Sequence, residues 1–190
     1  MGLRSKDSII IVGYKHCGKS TLGMMLAKEL NVEFYDIDLI MERMTGMSVR
    51  ELYEKKGVLG YMQVEEAACK KLSENFEDKR IVIAASAAIC DNMPALNYLA
   101  EIGEFIYLKL NHEKCVEQVA AGIKYDRGGK VAVAPAYVMS KNPKNKKEVM
   151  KILNEKFEER NNRFESLAKT VVYLTDGSKE ENFKLLLNEI

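Results

Sequence analysis

The stretch GYKHCGKST, residues 13–21, decides the fold of this chain. It meets the pattern G-x-x-x-x-G-K-[ST], and it lies between an apolar run, residues 9–12, and the amphipathic stretch LGMMLAKEL, residues 22–30. A strand before such a loop and a helix after it are the setting of a phosphate-binding loop. The glycines let the backbone wrap around phosphate groups, while successive N–H groups and the helix N-terminus supply positive potential. The stretch therefore predicts a site for a nucleoside triphosphate.

Individual positions of this loop predict contacts to ATP and to Mg²⁺. Lys19 is expected to reach the β- and γ-phosphates, and the Ser20 hydroxyl is expected to ligate Mg²⁺. His16 and Cys17 stand at variable positions of the pattern, and we interpret them as spacers because the sequence identifies no catalytic partner for either. A tight strand-to-helix turn without a ligand is the alternative. The predicted ATP-binding residues are Gly13, Lys15, Cys17, Gly18, Lys19, Ser20 and Thr21.

The composition excludes several classes of protein. The chain has 190 residues, enough for one sizeable core, and we expect a single domain over residues 1–190. Its 29 Lys and Arg balance 28 Asp and Glu, which argues against a nucleic-acid or membrane-surface binder. The N-terminus lacks the apolar region of a secretory signal, and the apolar runs are shorter than the roughly 20 residues of a membrane span. Four scattered cysteines fit reduced thiols in a cytoplasmic protein, and two histidines argue against a His-based metal site.

Short apolar runs alternate with longer helical patterns along the chain. The runs are apolar almost throughout, which is typical of strands that are covered on both faces. Their alternation with helices predicts an α/β protein of the P-loop kinase fold, with a five-stranded parallel sheet flanked by helices. The predicted strands are residues 8–13, 32–36, 80–85, 104–110 and 170–175. The predicted helices are residues 19–30, 37–56, 58–78, 91–101, 112–122, 146–168 and 179–190.

One segment, residues 122–147, interrupts this alternation. It contains two of the three prolines and the pair Gly128-Gly129, and it shows no sustained helical period. Because a connection of this length in a compact domain is commonly functional, we predict a mobile lid.

The stretch FYDIDLIMERMTGMSVRELYEKKG, residues 34–57, narrows the function. Its F-x-D-x-D and T-G-x-S-x-x-E-L-Y patterns, together with GKST, resemble the shikimate kinases, and the resemblance runs from about Ile9 to the C-terminal helix. It implies a monomeric ATP- and Mg²⁺-dependent kinase that phosphorylates a hydroxyl of a small polar acceptor. The acceptor implied is shikimate, an intermediate of aromatic amino acid biosynthesis, bound beneath the helices of residues 37–78.

Two carboxylates in this stretch are given different roles by the resemblance. Asp36 would hold Mg²⁺ through water near Ser20, and Asp38 would orient the acceptor hydroxyl or take its proton. Both follow the C-terminal end of a predicted strand, where doubly wound sheets bind ligands. One carboxylate can then serve a metal ion while the other serves a hydroxyl. The alternative is that Asp36 is a helix N-cap and Asp38 an acid of the first turn.

Two arginines are also assigned roles by the resemblance. The stretch EERNNRFESLAKTVVYL, residues 158–174, resembles the family's E-R-x-x-x-Y-x-x-x-A-D, with Phe164 at the tyrosine. The arginine of that pattern is Arg160, which would bind the acceptor's carboxylate through its planar fork. Its alternative is a solvated helix face, loosely balanced by Glu155 or Glu159. Within the lid, Arg127 would fold over the triphosphate, with Lys124 and Lys130 as rivals.

The chain departs from the family pattern at the acceptor side. In GVLGYMQVE, residues 57–65, Met62 replaces an arginine that grips the acceptor's carboxylate and Val58 replaces a glutamate. A glycine triplet becomes Ser86-Ala87-Ala88, whose methyl groups are expected to block close approach or to strain a positive φ. The predicted acceptor-binding residues are thus Asp38, Met62, Ala87 and Arg160.

These departures leave three functional alternatives. A charge-assisted hydrogen bond contributes about 1.5–3 kcal/mol, so Met62 is expected to weaken carboxylate binding roughly 10- to 150-fold. Another basic side chain, Arg50 or Lys55, could compensate and keep shikimate as the acceptor. The acceptor could instead lack a carboxylate, or the chain could be a nucleotide-binding regulator that has lost phosphoryl transfer.

Overall fold

A five-stranded parallel sheet forms the centre of the protein, whose structure is a computed structural model that describes residues 7–76 and 79–190. Its strands stand in the order β2-β3-β1-β4-β7, and every neighbouring pair is parallel. This confirms the predicted α/β fold. The strands of this sheet are β1 Ser8–Gly13, β2 Glu33–Asp36, β3 Ile81–Ala84, β4 Gly103–Lys109 and β7 Thr170–Tyr173.

Helices cover both faces of this sheet. Each of the five predicted strands is present, and so are the predicted helices outside residues 37–78, with ends that differ by at most two residues. The helices are α1 Lys19–Glu29, α2 Ile37–Thr45, α3 Val49–Asn75, α4 Met93–Ala100, α5 His112–Ala121, α6 Ala136–Met139, α7 Lys146–Leu167 and α8 Lys179–Asn188. None of the helices within the described residues combines the length and the apolar character needed to cross a bilayer.

The central strand β1 shows why the sheet needs two covered faces. All six of its residues are buried. Because successive side chains of a strand point to opposite faces, Ile9 and Ile11 enter one hydrophobic cluster, with residues of α1, α5 and α8. Ile10 and Val12 enter the other cluster, with residues of α2, α3 and α4. The continuous apolar run at residues 9–12 therefore serves both layers of the core.

The region predicted as helices 37–56 and 58–78 is divided differently. The first helix ends at Thr45, and a second one begins at Val49, where the Ser48 hydroxyl and the Glu51 carboxylate form a capping box. The predicted boundary at residue 57 is a kink inside α3, where Gly57 has φ 66° and ψ −170°. Residues 77 and 78 of the second predicted helix, and residues 1–6 of the predicted domain, lie outside the described part of the chain.

The predicted lid segment has regular structure that the sequence prediction missed. Strands β5 Lys124–Tyr125 and β6 Val131–Val133 form an antiparallel hairpin, and α6 follows it. The Asp126 carboxylate accepts the backbone N–H groups of Gly128 at 2.8 Å and Lys130 at 2.9 Å, which closes the turn. Val131 and Val138 are buried in the same cluster as α7, so the base of the segment is part of the core.

Candidate active site

The predicted phosphate-binding loop joins β1 to α1, with Gly18 as the N-cap of the helix. A Cβ atom on Gly13 would lie 2.7 Å from Cys17 Sγ and 2.8 Å from the Leu108 carbonyl oxygen, so the turn admits only glycine there. Burial raises the pKa of the Cys17 thiol, which keeps the thiol neutral. Cys17 therefore fills space under the loop, in agreement with its interpretation as a spacer.

The ammonium group of Lys19 lies across this loop. Its Nζ donates to the carbonyl oxygens of Gly13 at 3.1 Å and Tyr14 at 3.0 Å. Lys15, Ser20 and Thr21 are exposed on the same loop and the first turn of α1. The structure thus brings all the predicted ATP-binding residues together at the C-terminal edge of the sheet, where backbone N–H groups and a helix N-terminus favour an anion.

Ser20 and Asp36 form the candidate Mg²⁺ position. The Ser20 hydroxyl donates to Asp36 Oδ2 at 2.5 Å, and Asp36 Oδ1 accepts the backbone N–H groups of Asp38 at 3.0 Å and Leu39 at 3.4 Å. Asp36 is therefore an N-cap, as the alternative interpretation stated, and it also faces the loop. Mg²⁺ is bound through one or two protein oxygens plus water and phosphate, so this pair fits it. Among the described residues no group of three or more His, Cys, Asp and Glu could hold a metal ion.

Asp38 carries the most unusual carboxylate of the site. Its Oδ1 is buried and has no hydrogen-bond partner within residues 7–76 and 79–190. Burial and, next, the negative charge of Asp36 raise its pKa to about 6, although the nearby Lys19 charge opposes them. A buried acceptor atom without a donor is costly unless a ligand or water supplies the donor. Asp38 is therefore suited to receive a hydrogen bond from a bound hydroxyl.

A buried polar network of four residues lies next to Asp38, and none of the four was among the predicted site residues. Glu65 is fully buried, and it accepts hydrogen bonds from the Tyr61 hydroxyl at 3.2 Å, from the Ser86 hydroxyl, and from the Asn92 amide at 2.8 Å. The negative charge of Glu65 contributes to the raised pKa of Asp38, which places both acids in one electrostatic environment. Tyr61 and Glu65 lie within the stretch GVLGYMQVE that resembles the family pattern, whereas Asn92 and the hydroxyl of Ser86 gave no recognisable signal.

Arg160 is buried in an ion cluster, and its partner is Asp91. The guanidinium donates to Asp91 Oδ2 through Nε at 3.2 Å and through Nη2 at 2.8 Å. The alternative interpretation, a solvated face balanced by Glu155 or Glu159, is wrong: Arg160 is only 8% exposed, Glu155 pairs with Lys151, and Glu159 pairs with Lys156 and Arg163.

The same arginine is connected to the phosphate-binding loop through two tyrosines. The Arg160 guanidinium lies 5.5 Å from the centre of the Tyr137 ring, and the Tyr137 hydroxyl is 3.3 Å from the Tyr14 hydroxyl. Tyr137 belongs to α6, in the predicted lid, and Tyr14 to the loop itself. The structure thus joins Arg160, α6 and the loop between β1 and α1.

Comparison with known proteins identifies the family. The shikimate kinase family model matches residues 15–190. The chain belongs to the shikimate kinase family. Shikimate kinase 1 of Escherichia coli O139:H28 is 35% identical over 112 residues, which are 59% of this chain and 63% of that protein. The chain thus matches slightly under two thirds of the length of its curated relatives.

Solved shikimate kinases have the same fold. The structure of the Acinetobacter baumannii enzyme in complex with shikimate superposes with a TM-score of 0.75 at 22% identity, over 98% of this chain and 93% of that one. The Aquifex aeolicus enzyme gives a TM-score of 0.69 at 26% identity, over 95% and 94%. The sheet order and the flanking helices described above are therefore those of this family.

Two of the residues that depart from the shikimate kinase pattern, Met62 and Ala87, are partly buried. Met62 is half-buried against the second core cluster, and its carbonyl oxygen accepts the Asn92 amide at 2.8 Å. Ala87 is half-buried directly after β3. The expected backbone strain is wrong: among the described non-glycine residues a positive φ occurs only at His16, Asn31 and Asn142. Ala88 has φ −107° and is the N-cap of a 3₁₀ helix, Ile89–Asp91, so its methyl group meets no positive φ.

The remaining basic candidates lie at the surface. Arg127 is exposed at the tip of the β5–β6 hairpin, with Lys124 in β5 and Lys130 just before β6. Arg50 pairs outward with Glu54 at 2.8 Å, and Lys55 is exposed. Neither Arg50 nor Lys55 therefore takes the place of the arginine that Met62 replaces in the family pattern.

Proposed function

We propose that this chain transfers the γ-phosphoryl group of ATP, with Mg²⁺, to a hydroxyl of a small polar acceptor. The observation that carries the proposal is Asp38, a carboxylate with one buried oxygen that lacks a donor, within the electrostatic reach of Lys19. A regulator that only binds nucleotide does not need the unpaired carboxylate oxygen of Asp38, because a buried acceptor atom without a partner destabilises the fold.

Asp38 acts on the acceptor hydroxyl. With a pKa of about 6 it is mostly ionised at neutral pH, so it can accept the hydroxyl's hydrogen bond and take its proton as the oxygen attacks phosphorus. The bond that forms is oxygen to γ-phosphorus, and the bond that breaks joins that phosphorus to the β,γ-bridging oxygen, with ADP as the leaving group. Lys19 exchanges its two carbonyl partners for the β- and γ-phosphate oxygens, where its charge opposes the charge that builds up.

Ser20 and Asp36, which lie in hydrogen-bond contact, would hold the metal ion in this proposal. When bound, Mg²⁺ neutralises charge on the β- and γ-phosphates. The other oxygen of Asp36 stays on the backbone N–H groups that begin α2, so the same carboxylate fixes the start of the element that carries Asp38.

The lid would complete the site. We propose that the segment of residues 122–147 closes over the triphosphate, expels water and brings Arg127 to the transferring group. Its hairpin tip is exposed, whereas Val131 and Val138 anchor its base in the core. A hairpin on a fixed base can change its position without unfolding.

Shikimate is the reference acceptor for testing this function, because the relatives bear its name. The family resemblance also assigns Arg160 to the acceptor's carboxylate. Met62 and Asp91 favour a second candidate, an acceptor without a carboxylate.

A coupled ADP-release assay tests the proposed function. Wild-type protein should release ADP in an acceptor-dependent way, and Asp38→Asn should lower that rate by roughly 100-fold or more, as expected for loss of a general base. Glu54→Gln, which removes an exposed carboxylate from α3, is the control and should keep the wild-type rate. Binding of Mg·ATP without turnover of any acceptor would establish the regulator instead.

A further inference from the structure

We propose that Asp91 serves as a built-in carboxylate at Arg160, and that the acceptor of this site is therefore a neutral polyol rather than a hydroxy acid. The inference rests on the proposed function and defines the chemical class of its acceptor. Asp91 would act as a positioning residue, since it acts through Arg160.

The first observation is that the Asp91 carboxylate is saturated with cations. Oδ2 accepts two hydrogen bonds from Arg160, at 3.2 and 2.8 Å. Oδ1 accepts Arg163 Nη1 at 2.9 Å, and Lys156 Nζ lies 3.2 Å from both oxygens. A carboxylate offers about four acceptor sites, and all of them are used here. Burial alone would raise the pKa of Asp91, but the positive charges of Arg160 and Lys156 hold it below its usual value, so the group stays ionised.

The second observation is that Arg160 is fixed in this pairing. Its guanidinium is buried, and the ring of Tyr137 covers it at 5.5 Å. A carboxylate on the acceptor would have to share this guanidinium with Asp91, a like charge in direct contact with it. Displacing Asp91 instead would leave a partly buried anion with weaker compensation, which is unfavourable. A neutral hydroxyl carries neither cost, because it can accept from an unused N–H of the fork without adding charge.

The third observation is that the opposite wall offers no compensating cation. Position 62 is a methionine, and the network behind it consists of an acid and neutral groups: Tyr61, Glu65, Ser86 and Asn92. Burial raises the pKa of Glu65, although its hydrogen-bond donors and, to a smaller extent, the charge of Arg160 oppose this, and Glu65 in turn adds to the raised pKa of Asp38, so the arginine and both acids share one electrostatic environment. An acceptor that brings a further negative charge would meet two acids and an arginine that is already paired.

The fourth observation is that hydrogen bonds link Asp91, Met62 and the segment Ser86-Ala87-Ala88. The Ala88 N–H donates to the Ser86 hydroxyl, the Asp91 N–H donates to the Ala88 carbonyl oxygen at 2.8 Å, and Asn92 then reaches Met62 and Glu65. The turn that replaces the glycine triplet is thus the turn that presents Asp91 to Arg160. Met62, Ser86-Ala87-Ala88 and Asp91 form one remodelled acceptor wall.

The test compares two acceptors that differ in one group. Wild-type protein is assayed for kcat/KM with shikimate and with the analogue whose carboxylate is reduced to a hydroxymethyl group, which keeps the ring hydroxyls. We expect the neutral analogue to be preferred by at least about tenfold, and the preference to appear mainly in KM. A preference for shikimate would overturn the inference.

A matched pair of variants then isolates Asp91. Asp91→Asn keeps the shape and removes the charge that neutralises Arg160, so it should shift the ratio of the two kcat/KM values toward shikimate by at least about tenfold. Glu159→Gln also removes a negative charge next to Lys156 and Arg163 but leaves Arg160 paired, and it should not move the ratio. Equal shifts in both variants would show a general charge effect and overturn the role of Asp91.

Equilibrium binding separates this inference from the proposed function. Calorimetry in the presence of Mg·ADP measures the affinity for both compounds on wild-type protein, whether or not turnover occurs. If the analogue binds more tightly but neither compound is phosphorylated, the acceptor class stands and the transfer function fails. If shikimate binds as tightly or more tightly, or if neither compound binds, the inference fails, even where ADP release on another acceptor supports the kinase. These binding measurements need no Asp91 variant, so they hold even if Asp91→Asn does not fold.

Discussion

Asp36 holds Asp38 in place: Asp36 Oδ1 accepts the backbone N–H of Asp38 at 3.0 Å, while Asp36 Oδ2 accepts the Ser20 hydroxyl at 2.5 Å. Two acids that are two residues apart therefore differ in their hydrogen bonding. The first is bound on both oxygens at the start of α2, and the second keeps a buried oxygen without a donor among the described residues.

The pH dependence of turnover should report the raised pKa of Asp38. Since the ionised form accepts the acceptor's proton, kcat/KM should be level above about pH 6 and should fall roughly tenfold per pH unit below it. A pH profile of ADP release measures this, with Glu54→Gln as a control that should give the same curve. A profile that stays level down to pH 4 would contradict the role of Asp38.

The same carboxylate should reduce the stability of the fold at neutral pH. A folded-state pKa of about 6, above the ordinary aspartate value of 3.8, means that the protonated form is favoured in the native state. Its stabilising contribution is complete below about pH 4 and is lost as the pH rises through 6. Asp38→Asn should therefore raise the free energy of unfolding by roughly 1–3 kcal/mol at pH 8, and by little at pH 4. Urea unfolding at both values measures it; a variant that is destabilised at pH 8 would contradict it.

Two substitutions of Asp36 should separate its metal and capping roles. Asp36→Asn and Asp36→Ala should both raise the Mg²⁺ concentration for half-maximal turnover about tenfold or more, since each loses the charge. Asparagine still caps a helix, whereas alanine costs about 1 kcal/mol of stability. Thermal unfolding should therefore distinguish the two variants while Mg²⁺ titration does not. If both variants keep the wild-type Mg²⁺ requirement, Asp36 is only a cap.

Three single substitutions should identify the basic residue of the lid. Arg127→Ala should lower kcat by about 100-fold or more with little change in protein stability, because its guanidinium is exposed and would act only on the transferring group. Lys124→Ala and Lys130→Ala, on either side of the hairpin tip, are matched controls. A large loss in one of these controls, with Arg127→Ala unaffected, would move the role to that lysine.

Ser86 should contribute to stability through Glu65. Ser86→Ala removes a hydroxyl that donates to a fully buried carboxylate, so the free energy of unfolding should fall by about 1–3 kcal/mol. Ser166→Ala removes an exposed hydroxyl on α7 and should change it by less than about 0.5 kcal/mol. Equal effects in chemical denaturation would show that the buried network is not stabilising.

The sequence was most informative where a function is encoded in consecutive residues. The phosphate-binding loop and the Asp36–Asp38 pair each lie within one strand–loop–helix connection, so their spacing alone places them at one edge of the sheet. The alternation of apolar runs with helical patterns likewise predicted the five parallel strands. In these cases the local pattern and the fold agree.

Long-range partners could not be predicted in the same way. Asp91 and Arg160 are 69 positions apart, and no local spacing relates a 3₁₀ turn after β3 to a buried face of α7. The partners of Glu65 are drawn from three segments, so the sequence pattern contained Tyr61 but not the donors Ser86 and Asn92. The β5–β6 hairpin was missed because strands of two and three residues are too short to show a period, although Asp126 and the following glycines are a turn signal.

The contact between the Tyr14 and Tyr137 hydroxyls links the phosphate-binding loop to α6. Tyr137 lies next to Val138, which is buried in the core, and the Tyr137 ring covers the guanidinium of Arg160. Under the proposed function, a triphosphate that displaces the Tyr14 hydroxyl would therefore also disturb the cover of the arginine that is proposed to face the acceptor. The affinity for one substrate should then depend on whether the other is already bound, which makes binding order a property of this pair of tyrosines.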